Sequence, residues 1–142
     1  MLATKEELIL IERAIESTKA ARALAEGKAG WQWMGYVGAA LQTEAGHIYT
    51  GINISVLCGI GFCAEHSAIA QMVKCGETRI ARIVAATANG AILPPCGRCR
   101  ELIYQIDAAN VKTAVLLGVD RQRSLGDLLP EKWQDSFDRP LP

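Results

Sequence analysis

Two short segments hold the residues that could do chemistry: Cys63-Ala64-Glu65 and Pro95-Cys96-Gly97-Arg98-Cys99. Each stands where a loop turns into a helical pattern. Cys96 and Cys99 are three apart in a first helical turn and so share one side. The partly positive helix N-terminus draws a thiol toward thiolate, the form that binds metal. Cys63 has the same placement on the preceding helix. Three thiolates from two helix starts suit a tetrahedral Zn²⁺, and three protein ligands rather than four leave a coordination position for solvent, the arrangement of a catalytic zinc. Glu65, two residues beyond Cys63, reaches the space beside the metal without ligating it, which suits a carboxylate that moves protons. Two other readings use the same residues. In a closed structural zinc module, Cys58 or Cys75 would supply a fourth thiolate. In a redox protein, Cys96-Gly97-Arg98-Cys99 would be a dithiol, a reading that leaves Cys63-Ala64-Glu65 without a role.

The elements that must position these residues follow from periodicity. Thr4 to Glu7 is a capping box, and Leu8, Ile11 and Ile15 continue a helix toward Gly27. Tyr36 to Leu41 and Ile48 to Ile54 read as two strands joined by a turn around Glu44 to His47. A second helix runs from Cys63 to a Gly76 cap, a strand covers Arg79 to Ala86, and a third helix runs from Cys96 to Ile106. Lys112 to Val119 reads as a buried strand, and Ser124 caps a short helix through Leu128. Strands and helices in this order make a three-layer α/β/α domain spanning 1–142, a mixed sheet with helices on both faces.

Composition narrows the function. Half of the 142 residues are hydrophobic and 21% are charged, enough apolar material for a packed core. Lys+Arg and Asp+Glu are both 15. With no basic block to track a phosphate backbone, long nucleic acid is not an expected partner. No apolar run approaches the roughly 20 residues of a membrane span, and the first residues carry no signal-peptide pattern, so a cytoplasmic location is expected. An odd number of cysteines, five, argues for ligands rather than a disulfide framework.

C-A-E followed by P-C-x-x-C resembles the zinc-dependent cytidine deaminase superfamily. The resemblance extends to Val37-Gly38-Ala39-Ala40-Leu41 as a first strand, Gly51-Ile52-Asn53 as a substrate-contacting turn and Leu128-Leu129-Pro130 as a C-terminal segment. Ala91-Ile92-Leu93 with Pro95-Cys96-Gly97-Arg98-Cys99-Arg100 resembles the blasticidin S deaminase branch more than ordinary cytidine deaminases. It implies a cytidine-deaminase-like fold on a mixed five-stranded sheet, zinc on Cys63, Cys96 and Cys99, and hydrolytic removal of the 4-amino group from a small cytosine nucleoside or analogue. In that scheme Glu65 carries the proton to N3 and then to the departing amine, Asn53 contacts the sugar, Trp133 stacks near the ligand, and the chain assembles as a homotetramer. Three departures stand out. Asn53-Ile54-Ser55 replaces Asn-x-Glu, whose carboxylate would grip the ribose hydroxyls by charge-assisted bonds. Gly35 stands where an aromatic is usual, with Trp31 and Trp33 nearby. His66 stands where an Arg commonly donates to the ligand sulfurs. The cytosine compounds left open run from cytidine and deoxycytidine to blasticidin S.

Overall fold

The computed structural model describes residues 2–29 and 33–137; Trp31 lies outside the described residues. Helix α1 (Lys5–Ala25) starts at the Thr4–Glu7 capping box and ends two residues before Gly27. Strands β1 (Val37–Thr43) and β2 (Ile48–Ile52) form the expected hairpin. Helix α2 (Ala64–Lys74) follows, then β3 (Ile80–Thr87), a two-residue β4 (Ile92–Leu93) and α3 (Gly97–Ile106). A 3₁₀ turn (Ala108–Lys112) leads into β5 (Ala114–Leu116), β6 (Gln122–Ser124) and α4 (Leu125–Leu128), whose capping box pairs Ser124 with Asp127.

The sheet runs β2-β1-β3-β5-β6, with β4 also pairing β3, so it has six strands rather than five. Only β3 and β5 are parallel; β1 pairs antiparallel with both β2 and β3. Because β1 fills one edge of β3 along its length, β4 and β5 divide the other, with Ala85 opposite Leu93 and Ile83 opposite Val115. The segment 112–119 yields a shorter strand than its apolar run suggests. The buried Asn110 side chain accepts from the Ile80 N–H at 2.9 Å and donates to the Thr78 and Ile103 carbonyls, which anchors a 3₁₀ turn at the strand's start. A polar side chain buried this deeply is tolerated because its groups are bonded.

Alternation along the strands makes two cores. Ala39, Leu41, Ile83, Ala85 and Val115 face α2 and α3, joining Ile69, Met72 and Ile103. Ala40, Val84, Ala86 and Leu116 face Leu10, Ile11 and Ala14 of α1. Each fully buried Leu, Ile or Met contributes about 1.5–3 kcal/mol of transfer free energy. Two glycines set how closely the helices approach. A Cβ on Gly38 would strike the Ala14 carbonyl oxygen of α1. One on Gly51 would lie 2.7 Å from the Ala64 carbonyl oxygen and 2.6 Å from Ser67 Cβ of α2. The sheet therefore has almost no thickness beyond its backbone at the point where α2 begins.

Candidate active site

Cys63 and Cys96 occupy the N-cap positions of α2 and α3 in extended backbone (φ −71°, ψ 160° and φ −68°, ψ 171°), and neither thiol is spent capping its helix. Cys99 sits one turn into α3 and is fully buried. The three Sγ atoms lie within 4.8 Å of one another, with Cys63–Cys96 and Cys96–Cys99 both at 3.5 Å. Zinc–sulfur bonds of roughly 2.3 Å at tetrahedral angles place sulfurs about 3.8 Å apart, so the trio fits the ion. Burial pushes the Cys99 thiol far up, and the nearby Glu65 carboxylate adds to it. Burial likewise raises Cys63. At Cys96 burial pulls upward, but the Cys99 and Arg98 amides and the neighbouring thiols outweigh it, and its thiol is the one held below the usual range. Three thiolates this close repel one another, and a divalent cation is what relieves them.

Glu65, in the first turn of α2, is 5% exposed. Its surroundings are apolar: Ile83, Val84, Ala85, Leu93, Pro95 and Val115. That burial raises its carboxyl above the ordinary range, partly offset by its own backbone amide and the Cys99 thiol. A carboxyl raised in this way beside an ion-binding trio is placed to hold and hand on a proton.

A cleft of about 370 Å³ opens beside the trio, with Asn53, Ser55, Phe62, Cys63 and Arg98 on its walls. The fold therefore brings Asn53 to the same cavity as a ligand cysteine. The 55–61 loop is closed off by reciprocal backbone bonds between Ile54 and Phe62 at 3.0 and 2.8 Å. Phe62 is a wall residue that the sequence reading passed over; its signal was an aromatic immediately preceding a ligand. Its ring is parallel to that of His66 at 6.5 Å. His66 Nε2 is buried without a hydrogen-bond partner among the described residues, and burial, then Arg98, lowers the imidazole's affinity for a proton. Arg98 donates to the Gly61 carbonyl at 3.4 Å, whereas Arg100 ties the ligand loop to α4 through Pro95 and Leu128 at 2.9 and 3.0 Å.

Trp133 is not on the cleft wall. It is 63% exposed, packs edge-on against Phe137 at 4.6 Å, and its backbone N–H donates to Glu101 on α3 at 2.9 Å. Cys75 caps the far end of α2, and neither it nor Cys58 joins the sulfur cluster among the described residues. His47 is an exposed turn residue bonded to Glu77.

Comparison with known proteins gives a consistent picture. Residues 11–115 match a family model described as the cytidine and deoxycytidylate deaminase zinc-binding region. A cytidine deaminase from Mycobacterium tuberculosis is 32% identical over 96 residues, 67% of this chain and 70% of that one. A blasticidin-S deaminase from Bacillus cereus is 35% identical over 77 residues, 48% of this chain and 55% of its own. The crystal structure of the Mycobacterium tuberculosis cytidine deaminase superposes with a TM-score of 0.72 at 26% identity, covering 88% of this chain and 94% of that one.

Proposed function

This chain belongs to the cytidine and deoxycytidylate deaminase zinc-binding family, and from that membership we propose that its cleft deaminates a small cytosine nucleoside, or a nucleoside-like compound of the blasticidin S type, with Cys63, Cys96 and Cys99 holding zinc. The observation that carries the reading is the sulfur trio, open on one side to a cleft and flanked by the buried Glu65 carboxyl. Bound there, zinc supplies the Lewis acidity that makes water nucleophilic at neutral pH.

The chain's own groups supply the rest. Glu65 takes a proton from the attacking water and gives it to N3 of the ring as the C4–O bond forms, then carries the remaining hydroxyl proton to the amine, which leaves as ammonia as C4–N breaks. Water and the cytosine ring become ammonia and the uracil form, with protons conserved. The apolar walls around Glu65 raise its proton affinity, in the direction both roles need. Asn53 contacts the sugar end of the substrate. Phe62 and Arg98 join the wall that encloses it. The site assembles in a homotetramer, a reading supported by exposed Val56, Leu57 and Ile60 on the loop beside the cleft. The 142 residues act as one domain, and the cytoplasm, where thiol ligands stay reduced, is the expected compartment. No described helix is long and apolar enough to cross a membrane.

The test is a substrate panel scored for ammonia, with cytidine and blasticidin S as its extremes and the Glu65→Ala protein alongside. We expect release from at least one compound, falling about 10²–10⁴-fold in Glu65→Ala while zinc content and folding persist. Unchanged turnover by Glu65→Ala would refute the role given to that carboxyl.

A further inference from the structure

Asn53 is fixed at both ends of its carboxamide. Its Oδ1 accepts from the Val37 N–H at 2.9 Å, a bond the amide nitrogen could not make, so the side chain has one orientation. Nδ2 is the end left for the cleft, loosely held by the Trp33 carbonyl at 3.5 Å and Ser55 Oγ at 3.3 Å. The backbone of Asn53 is bound to the same stretch: its N–H donates to Val37, and its carbonyl accepts from Gly35, both at 3.1 Å. Whatever holds residues 33–37 therefore holds Asn53.

That hold comes from α1, on the face of the sheet opposite α2 and the cleft. The buried Thr18 hydroxyl donates to the Gly35 carbonyl. Arg22 Nη1 donates to the Met34 carbonyl at 2.8 Å, and its guanidinium lies 4.3 Å over the Tyr36 ring. Gly35 has φ +71°, and a Cβ there would strike Ala21, so the connector is pressed onto α1 in a conformation that favours glycine. Neither Thr18 nor Arg22 is on the cleft wall.

We propose that Thr18 and Arg22 are positioning residues for substrate recognition: acting through the 33–37 connector, they make Asn53 present an N–H donor, not its carbonyl, to the sugar end of the cleft. The inference rests on the deaminase reading of that cleft. Ser55, already accepting from Asn53, has its own hydroxyl proton to offer beside it, and among the described residues no carboxylate stands on the cleft wall. That end of the cleft therefore donates hydrogen bonds.

Steady-state kinetics on the zinc-loaded protein decide the matter, using the panel compound with the best turnover. Thr18→Val keeps the side chain's shape and removes the donor; it should raise KM about fivefold with kcat unchanged, as loss of one buried hydrogen bond in binding predicts. Thr18→Ser should restore the parent KM. Asn53→Asp still accepts from Val37 but loses Nδ2, and it should raise KM at least as far. Thr18→Val placed on Asn53→Asp should then add nothing. If Thr18→Val fails to fold, the half-buried Arg22→Gln carries the same expectation. A KM that stays put in Thr18→Val or Arg22→Gln, or a full additional effect in the Asn53→Asp background, overturns the positioning role. An unchanged KM for Asn53→Asp in an active enzyme overturns it as well. The absence of ammonia from every cytosine compound would instead sink the deaminase reading.

Discussion

The two ends of α2 carry nearly the same residue types and make opposite use of them. At its start stand Cys63, Glu65 and His66; at its end Cys75 and Glu77 meet His47 and Tyr49 from the β1–β2 hairpin. Glu77 is fully engaged: it accepts from the Tyr49 hydroxyl at 2.7 Å and lies 2.8 Å from His47 Nδ1. Hydrogen bonds from Thr43 and Tyr49 hold its carboxyl below the ordinary range. In return that bond to Glu77 pushes the Tyr49 hydroxyl up. Glu65 has the reverse history, buried among aliphatic side chains with a raised proton affinity. A carboxylate whose charge is satisfied by several hydrogen bonds stabilises a fold, whereas one whose burial outweighs its hydrogen bonds holds its proton more readily.

The contrast breaks most sharply on the cysteines. Cys96→Ser should strip zinc and cut ammonia release by roughly three orders of magnitude, the scale of a lost Lewis acid. Cys75→Ser should leave metal content and rate as they were. Equal losses in metal analysis and turnover would erase the distinction between the ends. A smaller effect is expected from the packing beneath the first end. Gly51→Ala forces a Cβ into the Ala64–Ala68 backbone and should cost about 1–3 kcal/mol in thermal unfolding, with weaker zinc retention because Cys63 is displaced. A Tm unchanged from the parent would show that α2 can slide without penalty.

The smallest effect is at the far end. Glu77 binds a proton less readily folded than unfolded, so its contribution is present above the unfolded value of about 4.3 and is lost as pH falls through the lower folded value. Glu77→Gln should lower Tm at neutral pH, and the gap from the parent should close in acid. A gap independent of pH would assign the loss to packing instead of charge.

Much of this was legible from local chemistry. Thr4 with Glu7 and Ser124 with Asp127 are caps whose partners lie three residues away, so sequence alone specifies them. Cys63, Cys96 and Cys99 were legible for the same reason: each is set by its own helix start, and the metal's preference does the rest. What escaped depends on distant pairing. The Ile92–Leu93 and Gln122–Ser124 strands exist only because β3 and β5 offer free edges, and runs of two or three residues have no period to detect. The length of 112–119 was misjudged because a buried Asn110 claims its first residues. The turn residue Asn53 could be picked out, but not the connector it is bonded to, since those bonds join residues far apart in sequence. Trp133 was chosen by resemblance, and its actual neighbours, Glu101 and Phe137, are surface contacts no pattern encodes.

Because Cys63 and Cys96 are the opening residues of two different helices, whatever ion they share is also a rivet between those helices. Its binding energy enters the cohesion of that corner of the molecule. Scarcity of the metal would then do more than idle the catalyst: it would loosen the framework itself and shorten the lifetime of every copy left without its rivet.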